Sequence, residues 1–386
     1  MERQLIELHR EEFGEEPSAV ASAPGVAFLL GEHTEFCSGM AIGFGLPLRS
    51  WVAVSLRNDS SLRFYSPGPG ERKRSSTSNL KYKREDRWAN HLKGVLLGLS
   101  NAGCPIQGLN ISFLGTIPQN KGLFSSGALC LSLARAVSDA MGFDISDQQL
   151  IQAVVFAQKN FSSNYVSPLE IYTSLYAKNH ELLVLDQRNF SRTYVPYEFN
   201  GTQMLLIDTQ VPQSDFEEDL EERIEVCQEA TRVIKERIPG GDLRSVTTRD
   251  FRVSLGAVSE SVRRVSIHGS NEHARFVELS HMIGEQNLTL AGKILNRSQE
   301  DLRDLFEVSC PEVDWISKHT IELPGVYCTR LTGVGIASCA ITIYDSKVHQ
   351  ELITRLEEYE RIFGFHPELH TIYPSMGLIV HRSPGG

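Results

Sequence analysis

The segment Ile111-Ser-Phe-Leu-Gly-Thr-Ile-Pro118-Gln-Asn-Lys-Gly122-Leu-Phe-Ser-Ser-Gly-Ala128 reads as a strand, a Pro/Gly turn and the start of a helix. The helix is expected over about 126–141, because Leu129, Leu133, Val137 and Met141 recur at i, i+4, i+8 and i+12 on one face. Ser125 is the expected N-cap and Gly142 the expected stop. The first N–H groups of a helix have no intrahelical partner, and the dipole is positive there, so such a start is an anion site. Ser125 and Ser126 add hydroxyls within reach of a phosphate or a Mg²⁺ ion. The spacing is not that of a Walker loop, which needs Gly-Lys-Ser/Thr. A capped core helix with no ligand fits the same residues.

Outward from this segment, alternation and β-branched content predict strands near 20–30, 51–56 and 109–114. Residues 66–79 are polar and predict an exposed loop or a hairpin excursion, and 88–99 carry apolar residues at helical spacing. A second strand-rich part begins at 203–208. A charged helix over 216–237 follows, then a helix over 276–295 and a strand-rich tail over 327–380. The irregular alternation predicts α+β layers and not a doubly wound parallel sheet. A chain of 386 residues is long for one core, so two domains are expected, 1–195 and 196–386, with the boundary between 186 and 201.

Composition narrows the function. Hydrophobic content of 41% and charged content of 22% suit a globular protein. A net charge of −10 disfavours nucleic acid as a partner. No apolar run reaches the roughly 20 residues a membrane span needs. Residues 1–16 mix charges with Leu5, Ile6, Leu8 and Phe13, which predicts an amphipathic helix and not a signal peptide. Seven scattered cysteines suggest neither a disulfide framework nor a zinc site, and point to a reducing cytoplasm.

Two further clusters stand out. Gly31-Glu32-His33-Thr34-Glu35 follows an apolar strand end. Its carboxylates and imidazole suit sugar hydroxyls, though taken alone the ordinary reading of such residues is a solvated loop. Thr332-Gly333-Val334-Gly335 precedes the apolar run 336–343; its glycines allow a close backbone approach or a simple turn.

Taken in order, these segments resemble the galactokinase branch of the GHMP small-molecule kinases. Phe13-Gly-Glu-Glu-Pro17, Ala23-Pro-Gly25 and Leu30-Gly-Glu-His-Thr34 resemble F-G-x-x-P followed by A-P-G-R-V-N-L-I-G-E-H-T-D-Y. Trp88-Ala-Asn-His-Leu-Lys-Gly-Val95 is similar to W-x-N-Y-V-K-G-V, and residues 118–128 to P-x-G-x-G-L-S-S-S-A. Leu302-Arg-Asp304 with Glu307-Val-Ser-Cys-Pro-Glu-Val-Asp314 is similar to S-L-R-D-x-Y-E-V-S-C-P-E-L-D, and Arg330-Leu-Thr-Gly333 to R-M-T-G-G-G-F-G-G-C. The resemblance covers nearly the whole chain. It implies an N-terminal ribosomal S5-like domain and a C-terminal ferredoxin-like domain, with the site in the cleft between them. It also implies ATP- and Mg²⁺-dependent transfer of the γ-phosphoryl group to the anomeric hydroxyl of galactose.

By position, the resemblance places Glu32, His33 and Glu35 on the sugar. It places Trp88, Pro118, Asn120, Lys121, Gly122, Leu123, Ser125, Ser126, Gly127, Gly333 and Gly335 on or behind the nucleotide. Ser126 and Gln158 fall at the metal positions, and Glu170 at the catalytic carboxylate.

Several of these positions depart from the pattern. Val26 stands for the arginine of A-P-G-R, which faces the reacting phosphoryl group. Glu170 stands for an aspartate, Gln158 for an acidic Mg²⁺ ligand and Asn120 for a glycine. Glu35, Phe36 and Cys37 replace Asp, Tyr and Asn, and Val334 and Ser338 replace two glycines. Lys121 stands where the motif is small; it either contacts a phosphate in place of the arginine or extends into solvent. Two readings follow. One is an active sugar kinase. The other is a non-catalytic descendant that binds nucleotide, sugar or a protein partner.

Overall fold

The computed structural model describes residues 1–162, 167–212, 217–237, 244, 258–336 and 339–381. Two sheets organise it. The larger has eight strands. Helix α1 (Glu2–Phe13) precedes β1 (Ala19–Leu30) and β2 (Met40–Arg57), which pair antiparallel along most of their length. β3 (Ser61–Ser66) and β4 (Glu71–Ser76) form the hairpin expected as one alternative for 66–79, with the turn at 67–70. β5 (Gly108–Gly115) lies between β2 and β3. β6 (Glu181–Asp186) pairs with the start of β2, and β7 (Ser191–Pro196) pairs with β6.

Four helices complete this layer: α2 (Ala89–Asn101), α3 (Ser125–Ala140), α4 (Asp147–Phe161) and α5 (Pro168–Tyr176). They share one apolar core with the sheet. α3 is buried on nearly every side, from Gly127 through Ala134, and not on a single stripe. It therefore serves as the central pillar, which fixes where its N-terminus points.

The second sheet is antiparallel, in the order β11-β8-β10-β9. β8 spans Thr202–Asp208, β9 Val326–Thr332, β10 Cys339–Asp345 and β11 Glu368–Ile372. Helices α6 (Glu217–Arg237), α7 (Glu260–Gly284), α8 (Leu288–Asp304), α9 (Pro311–Ile321) and α10 (His349–Phe363) belong to this part. A last short strand, β12 (Ile379–His381), returns to β1 in the first sheet. Arg49 holds that return, donating to the carbonyls of Ser22 (2.8 Å) and Gly377 (2.6 Å). No described helix is long and apolar enough to cross a membrane.

Two expectations need correction. The helix predicted over 276–295 is two helices, broken at Glu285–Asn287. Gln286 is left-handed (φ 56°), and the Asn287 side chain caps α8 by accepting from Leu290 N at 3.1 Å. An Asn cap competes with helix continuation locally, and periodicity does not see it. Ser125 is also not the N-cap of α3. Phe124 holds that place in the left-handed region (φ 64°) with no side-chain cap, and Ser125 is the first helical residue. Gly142 does end the helix region with φ 62°.

Candidate active site

The loop into α3 has left-handed backbone at alternate positions: Asn120 (φ 56°), Gly122 (φ 67°) and Phe124 (φ 64°). Alternating handedness turns successive N–H groups toward one concavity, the geometry of an anion nest. Asn120 thus adopts the conformation for which the motif uses glycine. Two strands of the fold fix the loop. Val26 N donates to Leu123 O at 3.2 Å, and a Cβ at Gly333 (φ 98°) would lie 2.6 Å from Gly122 O. Gly333, directly after β9, therefore packs against the loop into α3. Gly335 lies just beyond it; Ser338 lies outside the described residues.

A pair of changes compensates within the motif. The first serine of L-S-S-S-A falls at Phe124 and the alanine at Gly127. The Phe124 ring rests against Gly127, where any Cβ would meet it at 1.9–2.5 Å. Phe124 is 5% exposed. Gly127→Ala alone is therefore expected to cost about 1–3 kcal/mol by overpacking. Phe124→Ser in the same chain should relieve most of that cost. A double-mutant cycle by urea denaturation measures it; additive effects would show that the ring does not depend on this glycine.

Lys121 follows neither expected course. Its Nζ lies 2.9 Å from Asp208 Oδ1 and donates to Val211 O at 3.2 Å. The lysine side chain is 11% exposed and the aspartate 3%. Asp208 ends β8, so the loop into α3 is tied to the second sheet by a nearly dry ion pair. A buried carboxylate needs a partner, and it takes the ammonium from solvent.

The Gly31–Glu35 loop turns sharply. Thr34 Oγ1 donates to Gly31 O (2.8 Å), and Gln187 Nε2 reaches both Gly31 O (3.1 Å) and Thr34 Oγ1 (2.9 Å). Glu32 is buried and pairs with Arg330 Nη1 at 2.9 Å; Arg330 also donates to Phe28 O (3.1 Å) and to Ser298 Oγ (3.3 Å). Burial pushes the Glu32 carboxyl up, against the pull of Arg330. Its Oε2 has no partner.

The His33 ring packs on Phe306 (centroids 4.8 Å), and His268 packs on the same phenyl ring (4.8 Å). Burial pushes His33 down to about 3, with His268 and Arg330 adding to it, and pushes His268 down to about 4. A histidine held neutral by the fold contributes stability above its unfolded pKa, near 6.5, and loses it as pH falls toward the folded value. Stability should therefore decline from about pH 6.5 down to 4. Substituting His268→Gln should flatten that decline in acid-denaturation curves. An unchanged pH slope in that variant would contradict the assignment.

Glu35 accepts from Ser167 Oγ, just before α5. Glu170, in the first turn of α5, is 5% exposed, and burial followed by the Glu35 charge holds its carboxyl well above the usual range. The structure thus brings Glu35 and Glu170 together. Gln158, on α4, is buried, and its Oε1 has no hydrogen-bond partner among the described residues. Val26 is fully buried in the shared core. Trp88 donates from Nε1 to Glu71 Oε2 (2.6 Å) and meets Phe113 edge-on, at the β3–β4 hairpin. Pro118 and Ser126 lie where the motif puts them, before the turn and in the first turn of α3. Sequence reasoning missed Asp208, Ser167 and His268. Each lies far along the chain from its partner, and no local pattern marks it.

A strand, a left-handed turn and a buried helix in one layer, braced by a glycine turn of a second antiparallel sheet, make up a mixed α+β fold of the GHMP-kinase type. A crystal structure of Lactococcus lactis galactokinase complexed with galactose superimposes with a TM-score of 0.91 at 23% identity, covering 98% of this chain and 99% of that one. A mevalonate kinase crystal structure follows at TM-score 0.65 and 15% identity, covering 93% and 99%.

The chain also matches the galactokinase galactose-binding signature over residues 7–56 and the GHMP kinases N terminal domain over 90–178. It is 32% identical over 379 residues to a putative galactokinase of Treponema pallidum, covering 96% of this chain and 95% of that protein. It is 27% identical over 365 residues to the galactokinase of Clostridium perfringens, covering 92% of each. The chain belongs to the galactokinase family.

Proposed function

We propose that this chain is an ATP-dependent sugar kinase acting on galactose or a related sugar at the anomeric hydroxyl. The observation that carries this reading is the buried Glu170 carboxyl, raised by burial and by the neighbouring Glu35 charge, in a chain whose loop into α3 is left-handed at Asn120, Gly122 and Phe124. In this reading Glu32, His33 and Glu35 hold the sugar. Glu170 accepts the hydroxyl proton; burial and Glu35 shift it in the direction that suits a base working near neutral pH. The amides opening α3 orient the phosphates.

Mg²⁺ fits the oxygen donors present: the Ser126 hydroxyl and the unpartnered Gln158 Oε1, with phosphate oxygens completing the shell. When bound, the ion neutralises charge on the phosphates. Both protein donors are neutral, and among the described residues no group of three or more His, Cys, Asp or Glu side chains is arranged to hold a metal.

Two observations favour a second reading, a homologue that binds nucleotide or sugar without turnover. Val26 brings no charge to the phosphoryl position, and Lys121, the nearest candidate substitute, is committed to Asp208. A coupled ADP-release assay over a panel of hexoses, with calorimetry for ATP–Mg²⁺ and for galactose, separates the readings. Sugar-dependent ADP release supports the first. Binding without release supports the second, and binding of neither ligand defeats both.

A further inference from the structure

A second cleft lies at the far end of β6 from the Gly31–Glu35 loop. Asp186, at one end of β6, pairs with Met40 beside that loop. At the Glu181 end, roughly 16 Å away for five residue steps, a cleft of ≈ 360 Å³ opens. Its size falls within the range of small-molecule sites, about 300–1,000 Å³. The rings of His180 and Tyr373 both line it, with centroids 6.5 Å apart and planes inclined by only 17°. The touching stacked pair Tyr172–Phe190 has centroids 4.3 Å apart at 14°. The His180 and Tyr373 rings are thus nearly parallel but not in contact, and each leaves aromatic surface toward the cleft.

The backbone holds the two rings there. His180 N donates to Pro374 O (2.9 Å), and Tyr197 N to His180 O (2.8 Å). His180 (φ 59°) and Gln286 (φ 56°), both lining the cleft, sit in the left-handed region, which non-glycine residues rarely adopt. Tyr373 is 51% exposed and nearby Met376 39%. At the rim, the side chains of Glu198, Asn200 and Gln286 form no hydrogen bond among the described residues. A carboxylate accepts from ring N–H and exocyclic amine groups, and an amide offers a donor and an acceptor side by side. No Lys or Arg lines the cleft; neighbouring Lys178 lies over the Tyr194 ring (3.7 Å) and 3.7 Å from Glu181 Oε2.

We infer that this cleft binds a neutral planar heteroaromatic of nucleobase size, as the free base or nucleoside. The ring stacks on the exposed face of Tyr373, beside His180, and its polar edge meets Glu198 and Asn200. With no cation at hand, the site disfavours the phosphorylated form. This site is separate from the phosphate loop and does not depend on the proposed kinase activity.

The test is calorimetric titration of the full chain with adenosine, guanosine, cytidine and AMP. Tyr373→Ala should weaken nucleoside binding roughly ten- to hundredfold, the loss expected for one base–aromatic stack. Ser126→Ala, at the phosphate loop, should leave it unchanged, and AMP should bind more weakly than adenosine. Tyr373 is exposed, so the variant is expected to keep the fold, which circular dichroism checks. Three outcomes would overturn the inference: no nucleoside binding up to about 10 mM, where only affinities weaker than ~3 kcal/mol escape detection; binding unaffected by Tyr373→Ala; or binding abolished by Ser126→Ala.

Discussion

Glu170→Gln is expected to lower sugar-dependent ADP release by about 10²–10⁴-fold, the usual contribution of a positioned base. The amide keeps the shape of the carboxylate but cannot take a proton. The side chain is buried in the first turn of α5, and its neighbour Glu35 is tied to Ser167. Removing one of two like charges should also stabilise the fold modestly, since burial and Glu35 both disfavour the ionised form. The expected signature is therefore a large kinetic loss with no loss of melting temperature. Parallel rate and thermal-denaturation measurements read it. Equal ADP release by the parent and the variant would remove Glu170 from the reaction. Val26→Arg offers the complementary gain. A cation at that position should raise the rate by on the order of a hundredfold. The site is fully buried, so the fold of that variant must be checked before its rate is interpreted.

Arg330→Leu should cost about 3–5 kcal/mol of stability, the loss typical of breaking a buried pair from one side. Arg330 is 1% exposed and is the cation beside Glu32, which is itself only 2% exposed. The leucine variant leaves that carboxylate without a counter-charge, takes from Phe28 O one of its donors (Thr332 Oγ1 remains, at 3.1 Å) and removes the Arg330 hydrogen bond from Ser298 Oγ. Pairing it with Glu32→Leu should recover much of the loss, because two apolar residues remove the desolvated charge altogether. Urea denaturation of the two single variants and the double variant gives the coupling. A single-variant cost below about 1 kcal/mol would mean that the pair is hydrated and not buried as the geometry shows.

Much of the fold was legible in local patterns. The strand, turn and helix of residues 111–141 could be read from period and turn chemistry alone, and so could the amphipathic first helix. The break at Glu285–Asn287 was not, because apolar spacing continues across it while an Asn cap and a left-handed Gln end one helix and begin another. The site divides in the same way. Glu32, His33, Glu35 and the loop glycines are contiguous, so their motif stands in the sequence. Their partners are not: Arg330 lies 298 residues from Glu32, and Ser167 lies 132 from Glu35.

The amino-acid sequence by itself determined the family and the layer class, since each rests on patterns that are local in the chain. Only the tertiary structure decided where the charges go. Lys121 turned to Asp208, and Glu32 paired with Arg330. The physical reason is that a charge removed from water takes the partner that folding brings within 3 Å, and chain order carries no record of that distance.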